Sequence, residues 1–120
     1  MTSILVADDE KHIRELVKIT LEENDYNVLS AMDGETALEI AVRERPALAL
    51  LDIRMPKMDG YEVCRQIKGD PSIAHIPVIF ISAKAQEDEI RMGYEAGAQD
   101  YLLKPFDMHE LIERIKRALA

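Results

Sequence analysis

The sequence predicts a three-layer α/β sandwich, a parallel five-stranded sheet with five helices, and two patterns carry that prediction. Apolar runs at residues 4–7, 28–31, 48–51, 78–81 and 101–103 are too short to be helices. Between them lie amphipathic stretches with helical spacing. Such alternation calls for a parallel sheet with right-handed crossovers and helices on both faces.

The elements follow in order. Ile13, Leu16, Val17 and Leu21 recur at helical spacing after the first run. Residues 26–31 mix polar with apolar side chains, as an edge strand does, whereas residues 48–51 are apolar throughout, as a strand buried on both faces must be. Glu44-Arg45-Pro46 and Gly69-Asp70-Pro71 punctuate the ends of two helices. Cys64 is expected to be a small buried residue on a helix. Ile90, Met92 and Tyr94 leave open whether the fourth helix offers core, partner surface or both. Asp107 with Glu110 forms a capping-box-like start to the last helix, whose apolar stripe is Leu111, Ile112, Ile115 and Leu119.

At 120 residues and 48% hydrophobic content, residues 1–120 are expected to form one domain with a real core. The formal charge of −8 repels nucleic acid and anionic lipid, so direct nucleic-acid binding is not expected. No run approaches the roughly 18–20 apolar residues of a membrane span. The acidic start, with Asp8, Asp9 and Glu10, does not resemble an export signal. A single cysteine cannot form an internal disulfide, which suits a reducing compartment, and a cytoplasmic location is expected. His12, His75 and His109 are dispersed and form no local metal motif; they read as surface or capping residues.

In open parallel sheets, ligands bind beyond the carboxyl ends of the strands. Asp8, Asp9 and Glu10 follow the first run, Asp52 the third, Ser82-Ala83 the fourth and Lys104-Pro105 the fifth. Ala31-Met32, after the second, adds no identifiable chemistry. Carboxylates brought together at about 4 Å repel by on the order of 4 kcal/mol per pair at an effective dielectric near 20. They must hold protons or bind a cation, and oxygen donors without His or Cys favour Mg2+. Asp8 or Asp9 could simply cap a helix, but that leaves unexplained a charge at the end of the apolar central strand. Lys104 adds a point charge suited to phosphate oxygens and Ser82 a hydroxyl donor. A carboxylate so placed can act as a nucleophile and form an aspartyl phosphate, with catalysis by positioning and charge neutralisation.

Taken together, Asp8-Asp9, Asp52, Met55-Pro56-Lys57-Met58-Asp59-Gly60, Ser82-Ala83 and Lys104-Pro105-Phe106 resemble the response-regulator receiver domain of two-component signalling, along the whole chain. Ser82 lies 30 and Lys104 lies 52 residues beyond Asp52, as in that family. The resemblance implies a flavodoxin-like sheet of order 2-1-3-4-5. It implies that Asp52 is the phosphoacceptor, that Asp9, Asp52 and the backbone carbonyl of Arg54 bind Mg2+ directly, and that Asp8 acts through water. Lys104 would pair with the carboxylate or phosphoryl group, Ser82 would bond a phosphoryl oxygen, and Tyr101 would sit inward or outward according to Ser82. Small Ala83 would leave the site open. Pro105 would follow a cis peptide. Arg54 and Lys84 are basic at positions that vary in the family; each reads either as surface charge or as a fringe to the phosphoryl group.

The implied partners are a histidine kinase or phosphotransfer protein upstream and a target protein at the face of the fourth helix, fifth strand and fifth helix. The implied role is a switch that catalyses its own phosphorylation and dephosphorylation, not a turnover enzyme, either alone or as the receiver module of a regulator with an output domain. Three competing readings fare less well. A magnesium-dependent aspartyl-phosphate phosphatase resembles a pattern with a second Asp where this chain has Arg54. A flavodoxin-like electron carrier needs a phosphate loop where this chain has Asp8-Asp9-Glu10. A scaffold that kept only the fold is expected to lack Asp52 or Lys104.

Overall fold

The computed structural model describes residues 1–83 and 86–120. The expectation for Lys84 therefore lies outside the described residues. The chain alternates β1 (Ser3–Ala7), α1 (Lys11–Glu23), β2 (Asn27–Ala31), α2 (Gly34–Glu44), β3 (Leu48–Asp52), α3 (Gly60–Gly69), β4 (Val78–Ser82), α4 (Glu87–Glu95), β5 (Asp100–Leu103) and α5 (Met108–Leu119). All strands are parallel, in the order β2-β1-β3-β4-β5. Every strand takes in at least one polar residue beyond its apolar run, because ladder hydrogen bonds are made by backbone whatever the side chain. Two of those additions are Asp52 and Ser82, paired in register with Ile81 and Leu103.

The two-residue period of the strands divides the core into two layers. Ile4, Val6, Leu48, Leu50, Ile79 and Ile81 face α1 and α5 on one side. Leu5, Ala7, Ala49, Leu51, Val78 and Phe80 face α2, α3 and α4 on the other. β3 and β4 are buried at each position, while β2 is the half-exposed edge. Cys64 is fully buried on α3, its thiol donating to the Ala96 carbonyl at 3.3 Å. The α1 stripe departs from its simple reading at Leu16, which is 41% exposed and borders a groove with Phe106 and Met108 instead of entering the core.

The punctuation works through caps. Asp33 and Asp59 start α2 and α3 by accepting from the backbone N–H of Thr36 and Glu62 at 2.7 and 2.9 Å. Asp107 starts α5, but accepts from His109 and not from Glu110 as a full capping box would have it. Arg45 ends α2 with a left-handed φ of 48°. Among the described residues, no helix is long and apolar enough to cross a membrane.

Candidate functional site

The carboxyl ends of β1 and β3 bring three carboxylates together: Asp8, Asp9 and Asp52 each place an oxygen within 4.8 Å of the others. They differ in exposure. Asp8 is fully buried, Asp52 nearly so, and Asp9 faces solvent. Asp8 accepts the Glu10 N–H at 3.0 Å through Oδ1, and its backbone carbonyl accepts from Arg14 at 2.8 Å. These bonds shape the β1–α1 turn and leave α1 without a side-chain cap of its own.

From the end of β5, Lys104 reaches into this cluster. Its Nζ donates to Asp8 Oδ2 at 2.9 Å and lies 3.5 Å from Asp52 Oδ2 and 3.8 Å from Glu10 Oε1. The ammonium thus sits nearer Asp8 than Asp52, because the most deeply buried carboxylate has the least water to solvate it. Burial alone would depress the Lys104 pKa, but the hydrogen bond to Asp8 and the charges of Asp52 and Asp8 outweigh it and raise it. Lys104 therefore stays charged. Asp52 is pushed the other way: burial first, then the Asp8 charge, raise it to about 6 against the pull of Lys104. One ammonium does not balance three carboxylates and Glu10.

The loop from Met55 to Gly60 is built around the end of β3. The Gly60 N–H donates to the Ile53 carbonyl at 2.8 Å, and a Cβ on Gly60 would lie 2.4 Å from the Asp52 carbonyl oxygen. Only glycine lets α3 begin against the strand end that presents Asp52. Lys57 takes a left-handed φ of 71° within this loop and lies 3.9 Å from the Asp33 carboxylate. The Lys104-Pro105 bond is cis. The Lys104 N–H donates to the Ser82 carbonyl at 2.7 Å, which ties the ends of β4 and β5 side by side.

Asp9, Glu10, Asp52, Arg54, Ser82, Ala83 and Lys104 line one cavity of about 260 Å³, with the fully buried Asp8 behind it, bonded to Lys104. Tyr101 lies inward, 8% exposed, with its ring edge-on to Phe80 at 6.2 Å, and Phe80 is edge-on to Tyr61 at 5.5 Å. Gly93 makes room for that aromatic row: a Cβ there would meet Phe80 and Tyr101 at 3.1 Å. Of the three residues left open on α4, Ile90 packs on the core, while Met92 and Tyr94 are 44% and 47% exposed. Tyr61, Glu89 and Glu10 join the surroundings of the site without having been assigned a role from sequence. Tyr61 donates its hydroxyl to the Glu89 carbonyl across 28 residues, a pairing with no local sequence signal.

A family model for the response regulator receiver domain matches residues 4–116. The "DNA-binding dual master transcriptional regulator RpaA" of Synechocystis is 40% identical over 119 residues, 99% of this chain but 49% of that protein. The "Response regulator PleD" of Caulobacter vibrioides is 46% identical over 114 residues, covering 94% of this chain and 25% of its own length. The chain thus spans about half the length, or less, of these curated relatives. The chemotaxis response regulator CheY4 of Vibrio cholerae superposes with a TM-score of 0.94 at 29% identity, covering 99% of both chains. With the fold, strand order and acidic cluster in agreement, this chain belongs to the response regulator receiver domain family.

Proposed function

We propose that this chain is a phosphorylation switch in which Asp52 accepts a phosphoryl group from a histidine kinase or phosphotransfer protein, or from a small phosphodonor. The observation that carries it is a nearly buried carboxylate at the end of the central strand, raised to about 6 and clustered with two more carboxylates and a charged Lys104. The donor set suits Mg2+: three carboxylates within 4.8 Å, with no His or Cys among them. Asp9, Asp52 and the backbone carbonyl of Arg54 would hold the ion directly and Asp8, buried and already bonded to Lys104, through water. Bound there, the ion would neutralise carboxylate and phosphoryl oxygens.

An Asp52 carboxylate oxygen attacks phosphorus, and the bond from phosphorus to the donor's nitrogen or oxygen breaks with its electron pair leaving on the donor. Lys104 neutralises charge on the transferring group, and Ser82 supplies a hydrogen bond to a phosphoryl oxygen. Drawing Ser82 toward Asp52 would hold Tyr101 in the inward position it already takes in this structure and bias the α4/β5/α5 face, where Met92, Tyr94 and Leu103 are exposed. This is a population shift driven by bonds available only to the phosphorylated form. A target protein would read that face in the cytoplasm, without direct contact between this domain and nucleic acid.

The partial coverage of RpaA and PleD favours a second possibility for the readout, an output domain on the same polypeptide. Incubation with acetyl phosphate and Mg2+ should add one phosphoryl mass to the wild type and none to Asp52→Asn. Stoichiometric labelling of the variant at another residue would overturn the assignment.

A further inference from the structure

Two cavities meet at the carboxyl edge of the sheet. Beside the one that holds Asp52 lies a groove of about 660 Å³ between the β3–α3 loop and α4, bounded by Tyr61, Glu89 and Met92 among others. Asp9 and Arg54 border both. The Arg54 guanidinium lies 3.8 Å from the carboxylate of Glu89, in the first turn of α4. The Arg54 side chain is 68% exposed and that of Glu89 only 17%. Tyr61 fixes the same residue through the backbone, donating to the Glu89 carbonyl at 2.9 Å.

We infer that Arg54 has two positions, on Glu89 as in this structure and on the phosphoryl oxygens once Asp52 is modified, so that the first turn of α4 senses the charge at Asp52. The inference rests on the reading of Asp52 as acceptor and adds a route to α4 besides Ser82 and Tyr101. The Arg54–Glu89 pair is long at 3.8 Å and open to water on the arginine side, so it is weak. A phosphoryl group offers up to two negative charges and several oxygens to a guanidinium fork that can engage two at once. Beside Lys104 and the metal, Arg54 is a further cationic side chain that lines the cavity holding Asp52. When Arg54 transfers, Glu89 keeps a largely buried carboxylate without that counter-charge, which favours moving the first turn of α4 toward water. The Tyr61 bond then acts as the pivot.

The test titrates beryllium fluoride with Mg2+, a phosphoryl mimic, into wild type, Glu89→Gln, Arg54→Ala and the double variant. Arg54→Ala removes the guanidinium and keeps the backbone carbonyl. Glu89→Gln should bind the mimic roughly threefold more tightly, the size a weak, half-exposed ion pair supports. In the Arg54→Ala background the same change should bring no gain. An equal gain in both backgrounds would mean that Glu89 acts only as a distant negative charge, and would overturn the inference. Backbone amide shifts give an independent readout: the mimic should move residues 87–89 in wild type, and Arg54→Ala should remove most of that response while keeping the one at Tyr101. A full first-turn response in Arg54→Ala would equally overturn it. A wild type that neither binds the mimic nor is labelled at Asp52 would instead overturn the acceptor assignment.

Discussion

Replacing Asp52 with Asn should make the chelated protein more stable while removing phosphorylation. Asp52 is held at about 6 against an ordinary 3.8, so its folded state resists ionisation. A group with a raised folded pKa favours folding below its unfolded pKa, and that contribution is lost as pH rises through the folded one. Asp52 therefore costs nothing below about pH 4, costs progressively more between about pH 4 and 6, and exerts its full penalty at pH 7. Taken whole, the difference corresponds to on the order of 3 kcal/mol, and to about 2 kcal/mol after allowing for screening at the mouth of the site. Asn keeps the shape and removes the charge. Near 4 °C per kcal/mol for a domain of this size, the variant should melt about 8 °C higher at pH 7. Thermal melts from pH 3.5 to 8 in chelator check this, with the two curves converging at the acid end. A variant that melts at or below wild type at pH 7, or a gap that does not shrink toward pH 4, would refute the reasoning.

Mg2+ should stabilise wild type by roughly 1.4 kcal/mol at ten times its dissociation constant, and Asp52→Asn by less, because the variant has lost a ligand; melts with and without the ion decide it. Lys104→Met should destabilise the protein by about 2–4 kcal/mol, since it strips the ammonium from the fully buried Asp8, and should slow labelling by acetyl phosphate; urea unfolding and intact mass measure the two effects. Gly60→Ala should lower both stability and labelling, because its Cβ would collide with the Asp52 carbonyl oxygen; chemical denaturation of the variant should show a loss of about 2 kcal/mol or more. Lys57→Gly should relieve the left-handed φ of 71° and leave stability within about 1 kcal/mol of wild type, the loss of the long Lys57–Asp33 contact offsetting the gain.

The strands were legible because their apolar runs end where the sheet stops being core. The runs themselves stop one residue short of Asp52 and Ser82, which end β3 and β4 where the sequence reading placed them, since pairing is a backbone property indifferent to charge. The edge position of β2 followed from its mixed polarity, but the full strand order came from family resemblance; local patterns carry no information on which neighbour a crossover reaches. The convergence of Asp8, Asp9, Asp52 and Lys104 was readable as consecutive strand ends sharing one sheet edge. The closer approach of Lys104 to Asp8 was not, because it depends on which carboxylate is most buried. Helical spacing placed Leu16 with the core stripe, yet it faces a groove beside Phe106, since periodicity defines a face and not its width. The Arg54 and Tyr61 contacts with Glu89 join the β3–α3 region to α4, far off in sequence, and α4, with Gly93 packed against aromatic rings, has too little apolar periodicity to announce them.

The central claim is that Asp52 carries the phosphoryl group, and borohydride trapping tests it most directly. Wild-type protein is incubated with acetyl phosphate and Mg2+, reduced with borohydride, digested and mapped by tandem mass spectrometry. Reduction of an aspartyl phosphate leaves homoserine in place of the aspartate. The account predicts homoserine at position 52, absent when Mg2+ is chelated. Homoserine at position 8 or 9, or none at any position in a protein shown to be folded, would contradict it.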